Sequence, residues 1–118
     1  MPRFGLTKNE DNTGRVLTYA KVAPAYASSI ALVPNASKTF ALPANLTGAL
    51  TLTSVLTSSQ LCDELVCVFK ATGGTRVVTF STGFASVGTL SVPSGKLASV
   101  SFVFNGETFV EVGRAITE

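Results

Sequence analysis

The chain has 118 residues, 46% of them hydrophobic and only 14% charged, with a formal net charge of +2. That length suits one domain, whose core would bury roughly two thirds of the surface of the unfolded chain, and the apolar, β-branched composition excludes a disordered polymer. The nine basic residues are scattered from Arg3 to Arg114 without a run, which excludes a phosphate-tracking nucleic-acid surface, and no stretch approaches the roughly 20 apolar residues of a membrane helix.

Charge divides the chain into an N-terminal arm, residues 1–27, and a β-domain, residues 28–118. Arg3, Lys8, Glu10, Asp11, Arg15 and Lys21 all fall in the arm, mixed with the turn formers Asn9, Asn12 and Gly14. The arm has no steady period. It carries Phe4, Leu6, Val16, Leu17, Tyr19 and Tyr26 without a core of its own. Such a segment either takes its order from a partner or frays as a terminus. The opening Met1-Pro2-Arg3-Phe4-Gly5-Leu6-Thr7 lacks an apolar signal core. The expectation is a protein made and kept in the cytoplasm unless it leaves inside an assembly.

The domain reads as short strands. Ser29–Val33 stops at Pro34-Asn35, a turn pair. Lys38–Leu42 ends at Pro43. From Gly48 to Leu56 the pattern alternates, with Leu50, Leu52 and Ser54 on one face. Glu64–Lys70 is nearly continuous in apolar residues, as in a central strand covered on both faces. Thr72-Gly73-Gly74-Thr75 turns the chain into Arg76–Phe80. A Gly- and Ser-rich loop, residues 81–88, leads to Thr89–Val92, which ends at Pro93-Ser94-Gly95. Last, Lys96–Phe104 sets Ala98, Val100, Phe102 and Phe104 on one face, and Asn105-Gly106 precedes Thr108–Val112. Asn-Gly between two alternating runs is a strong hairpin signal, because both residues tolerate positive φ. No helix longer than a turn or two is expected. About eight short antiparallel strands point to an all-β fold, a β-sandwich or small barrel.

Equipment for catalysis is missing. There is no His, hence no ordinary general base and no common zinc ligand. Asp63 and Glu64 are adjacent and point to opposite faces of a strand. Glu107 and Glu111 are four apart, about 13 Å along a strand. These carboxylates read as solubility and edge protection rather than as a glycosidase pair. The glycine-bearing loops open no helix and lack the Lys of a phosphate loop. Asn9-Glu10-Asp11-Asn12 lacks the alternate spacing and closing Glu of a calcium loop. If Cys62 and Cys67 sit on one extended segment they are about 17 Å apart, beyond disulfide reach. The sequons at Asn35 and Asn45 read as chance matches in a chain without a secretory signal. The expectation is a protein that is not an enzyme and needs no metal or cofactor. The one aromatic candidate for a surface-binding loop is Phe84, in the loop 81–88.

Three stretches carry a resemblance: Cys62-Asp63-Glu64-Leu65-Val66-Cys67-Val68-Phe69, then Thr75-Arg76-Val77-Val78-Thr79-Phe80-Ser81-Thr82-Gly83-Phe84, then Phe104-Asn105-Gly106 through Ala115. In this order they resemble small virion proteins of tailed bacteriophages: capsid decoration or head-auxiliary proteins and the β-domains of head and tail fibres. The resemblance covers about residues 28–116. It implies a structural protein, often a homotrimer, that sits on the capsid surface, binds the major capsid protein or other virion proteins, and stiffens the shell. Arg3, Phe4, Leu6, Arg15, Leu17 and Tyr19 of the arm would then make the partner contact, with no role in binding nucleic acid or membrane. The alternative is a fibre domain that binds a host receptor or glycan, for which Phe84 is the candidate contact.

Overall fold

The computed structural model describes residues 17–117. It is all-β among those residues: β1 Tyr19–Val22, β2 Ser29–Leu32, β3 Lys38–Ala41, β4 Leu50–Ser54, β5 Glu64–Lys70, β6 Arg76–Phe80, β7 Phe84–Ala85, β8 Leu90–Val92, β9 Leu97–Phe104 and β10 Phe109–Ile116. They form two open sheets. The larger has the order β1-β3-β5-β9-β10-β7 and the smaller β2-β4-β6-β8.

The chain alternates between the sheets as it advances. β1 and β2 make a first turn of a flattened coil, β3 and β4 a second, β5 and β6 a third, and like strands stack in parallel: Ala20 on Thr39 on Leu65 in one sheet, Ser29 on Thr51 on Thr79 in the other. The direction then reverses. β8 runs antiparallel on β6, β9 on β5, and β10 on β9. The expected arrangement of antiparallel strands in a sandwich or barrel is therefore corrected. Among the described residues five of the eight strand pairings are parallel, and neither sheet closes on itself. Alternation in a single strand tells which side chains share a face, but it is blind to whether the next strand crosses to the other sheet before returning. Corners of the coil stack as well. The Leu46 N–H donates to the Lys70 carbonyl at 2.8 Å, Thr72 N–H to Leu46 at 3.0 Å, and Gly95 N–H to Ala71 at 3.0 Å.

The core lies between the two sheets. Its floor is Leu65, Cys67, Phe69, Ala98, Val100, Phe102, Phe104 and Phe109; its roof is Ile30, Leu32, Leu50, Leu52, Val78, Phe80, Leu90 and Val92. The faces expected for the strand from Gly48 and for the strand to Phe104 hold: Leu50, Leu52 and Ser54 are all buried, as are Ala98, Val100, Phe102 and Phe104. Phe69 sits beside Ala98 in the ladder, a large residue against a small one, which lets neighbouring rungs interdigitate.

The hairpin after Phe104 forms with a different turn from the one expected. Phe104 pairs with Phe109, so four residues make the loop, and of Asn105 and Gly106 only Gly106 has positive φ (100°). Asn105 acts through its side chain: Oδ1 accepts the N–H groups of Glu107 and Thr108, both at 2.9 Å. That Asx geometry is an alternative way for Asn to close a turn. β10 continues to Ile116 through a bulge between Glu111 and Gly113.

The end of the expected arm meets the sheet. Tyr19–Val22 is the edge strand of the larger sheet, parallel to β3. The hydroxyl of Tyr26 donates to the Ala49 carbonyl at 2.8 Å and ties the connection to the second turn of the coil. Arg3, Phe4, Leu6 and Arg15 lie outside the described residues.

Candidate interaction surface

The first two rungs of the larger sheet gather several exposed groups on its outer face. The register sets Tyr19 beside Lys38 beside Glu64, and Lys21 beside Phe40 beside Val66. Strand alternation does the rest. In β3, Thr39 and Ala41 point inward, so Lys38 and Phe40 point out. Tyr19 is 73% exposed and Phe40 is partly so. Lys38 Nζ lies 5.4 Å from the Phe40 ring centroid and 3.6 Å from Glu64 Oε1. Both Lys38 partners are exposed, so these contacts orient the ammonium more than they stabilise the fold. The result is an aromatic and cationic patch, Tyr19, Lys21, Lys38 and Phe40, whose two aromatic residues are of the type enriched where proteins meet partners. Leu17, exposed just before β1, flanks it.

Phe40 was not singled out by sequence. A strand reading Lys-Thr-Phe-Ala suggests an inward Phe, and only the neighbouring rungs show that Thr39 and Ala41 hold the core side.

Phe84 has a different role from the one its loop suggested. Residues 84 and 85 pair in parallel with Phe109 and Val110. The Phe84 ring packs 4.8 Å from Phe102 and 5.5 Å from Phe80, centroid to centroid. It closes the end of the core and is not a projecting platform. The physical reason is Gly83, at φ 91°, whose missing side chain lets the backbone approach Ser54 so closely that a Cβ there would collide with the Ser54 carbonyl. That approach turns the next residue inward. The large exposed apolar residue of this loop is Val87, at 77%.

The loop is pinned from β10. Arg114 Nε and Nη2 donate to the two carboxylate oxygens of Glu111 at 2.6 and 2.8 Å, while its Nη1 and Nη2 reach the carbonyls of Thr89 and Gly88 at 2.9 and 3.0 Å. Glu111 also accepts the Val87 N–H at 3.1 Å. The side chain of Glu111 is only 3% exposed and that of Arg114 is 25% exposed. The hydrogen bonds from Arg114 hold the Glu111 carboxyl below its ordinary range, against the opposing effect of burial, and Glu111 raises Arg114 in return. Every bond here serves the loop and the sheet end, so the pair is a structural clamp.

Other reactive groups are placed for structure too. Cys67 is buried and its thiol is pushed up to about 12 by desolvation. Cys62 is exposed at φ 73°. Asp63 is buried and accepts the Gln60 N–H at 2.9 Å, shaping the turn into β5. Among the described residues no group of three or more His, Cys, Asp or Glu is placed to hold a metal ion. No described helix is long and apolar enough to cross a membrane. The outer face of the smaller sheet is uncharged in its middle, with Ser29, Thr51 and Thr79 in one row. No protein-family model and no curated protein sequence matches this chain.

Proposed function

We propose that this chain is a structural subunit of a bacteriophage virion, a decoration or head-auxiliary protein that binds the outer surface of the major capsid protein. It acts as a scaffold rather than an enzyme and works without a cofactor, on the capsid surface, after synthesis in the host cytoplasm. We infer further that the finer architecture is a short β-solenoid. The observation that carries the reading is the patch of Tyr19, Lys21, Lys38 and Phe40 on the first two rungs. It is continuous in sequence with the charged N-terminal residues, which fits a contact made by both together. A coil of parallel strands is a stiff body on which to mount such a contact.

The test is quantitative mass spectrometry of gradient-purified particles from the source, together with binding of the protein to empty shells. Copy numbers close to that of the shell protein, with binding lost in a Lys38→Ala, Phe40→Ala variant that still folds, are the expected result. Absence from the particles refutes the virion reading. A second reading, a fibre domain that binds a host receptor or glycan, draws on the elongated body, 55 × 26 × 23 Å, and on the flat hydroxyl row of Ser29, Thr51 and Thr79. A few copies per particle would favour it.

A further inference from the structure

The two ends of the coil are guarded very differently. At the far end β7 has two residues and β8 three, with Pro93 next to β8. β10 carries a bulge at Glu111/Gly113 and the Arg114 clamp over the loop carbonyls. Short strands, proline, bulges and charge are the usual ways a sheet edge is kept from pairing with another chain. At the near end, β1 and β2 are longer, four residues each, with no proline and no bulge within them, and their one charge is Lys21. Among the described residues no strand pairs with the outer edge of either.

The free groups on those edges follow from the ladder phase. Lys38 N–H donates to the Thr18 carbonyl and Leu42 N–H to that of Val22, so Thr18, Ala20 and Val22 face β3. Tyr19 and Lys21 turn their N–H and C=O outward. In the other sheet, Thr51 N–H donates to Ser28 and Val55 N–H to Leu32, so Ser28, Ile30 and Leu32 face β4. Ser29 and Ala31 therefore present their groups outward. The end of the coil thus offers two short edges, one from each layer, about 10 Å apart as packed sheets are.

We propose that this end is a self-association surface whose occupant is the same end of a second copy of this chain. A single added strand can pair one edge and leaves the other open. A second copy brings two edges at the same spacing. A twofold axis perpendicular to the strands, along the direction in which the sheets stack, lays β1 antiparallel on β1 and β2 antiparallel on β2 at once. This is an isologous, closed contact, and it satisfies Tyr19, Lys21, Ser29 and Ala31 in both copies. Centred on Ala20, it sets each Tyr19 against the Lys21 of the second copy, ring against ammonium, and keeps the two Lys21 residues from facing each other. The inference does not depend on the virion reading, and its failure leaves that reading standing.

The test uses the full chain in solution: sedimentation across a wide concentration range, with amide hydrogen exchange of Tyr19, Lys21, Ser29 and Ala31 followed by NMR. The expected result is a dimer in which these four amides are protected, with protection falling on dilution. Ala31→Pro removes a donor that no strand of its own protomer uses, so the protomer keeps its melting temperature. Two symmetry-related hydrogen bonds are lost together, which weakens association roughly 30-fold. A monomer at all concentrations overturns the proposal, including one with concentration-independent protection, which would mean the chain covers its own edge. So does a trimer, or a dimer whose four amides exchange freely. Should Ala31→Pro fail to fold, the wild-type exchange pattern decides alone.

Discussion

Replacing Arg114 with Ala tests whether the clamp on β10 holds the end of the coil. The substitution deletes the two bonds to Glu111 and those to the carbonyls of Gly88 and Thr89, and it strands a carboxylate whose side chain is 3% exposed. Removing one partner of a fully buried pair costs about 3–5 kcal/mol. Arg114 is one quarter exposed, so water entering the vacated space solvates Glu111 in part, and the loss is discounted to about 2 kcal/mol at pH 7. For a body of this size that is a fall of about 10 °C in melting temperature. The pH dependence gives a second check. Glu111 is depressed in the folded protein, so its contribution is present above the unfolded carboxylate value of about 4.3 and is lost as pH falls through the lower folded value. In Arg114→Ala the stranded carboxyl prefers to be protonated. The stability gap between the two proteins therefore narrows from pH 7 to pH 3. Urea denaturation across that range measures it. A gap below about 0.5 kcal/mol at pH 7, the range of an ordinary surface change, or a gap that does not change with pH, would refute the clamp.

Three other outcomes are expected. Gly83→Ala forces a side chain into positive φ and against the Ser54 carbonyl; it should cost at least about 2 kcal/mol and weaken the packing of Phe84, visible in near-ultraviolet dichroism and thermal melts. Thr39 buries a hydroxyl with no hydrogen-bond partner, so Thr39→Val, which keeps the shape and removes the unsatisfied group, should stabilise the fold by about 1 kcal/mol in urea titrations. With Cys67 buried and its thiol pushed up to about 12, iodoacetamide at pH 8 should label Cys62 alone in the folded protein and both cysteines after denaturation, as counted by mass spectrometry.

Local order was legible wherever a strand declares its own faces. Leu50, Leu52 and Ser54, and the run Ala98, Val100, Phe102, Phe104, could be assigned to the core because side chains alternate with a period of two. The Asn-Gly signal located the hairpin, although the closing device is the Asn105 side chain and not the expected pair of positive-φ residues. Residues that depend on a neighbour were not legible. In sequence β1 is only the end of an arm, since four residues with one charge show no period, and it becomes a strand through its ladder on β3. In sequence Phe84 is a loop residue free to meet a partner, and it is drawn into the aromatic cluster by the close approach at Gly83.

Composition and alternation alone determined that this chain is an all-β body, poor in charge, without His, and with its large apolar residues divided between two faces. These properties belong to single residues and their near neighbours. Whether strands stack in parallel, which edges are left open, and whether Phe40 or Thr39 faces the core were decided by the tertiary structure. Each of these depends on the register between segments some 20 to 30 positions apart (Tyr19 on Lys38, Lys38 on Glu64, Thr51 on Thr79). That register is set by the burial of the whole core and the pairing of backbone groups across it, and no local pattern encodes it.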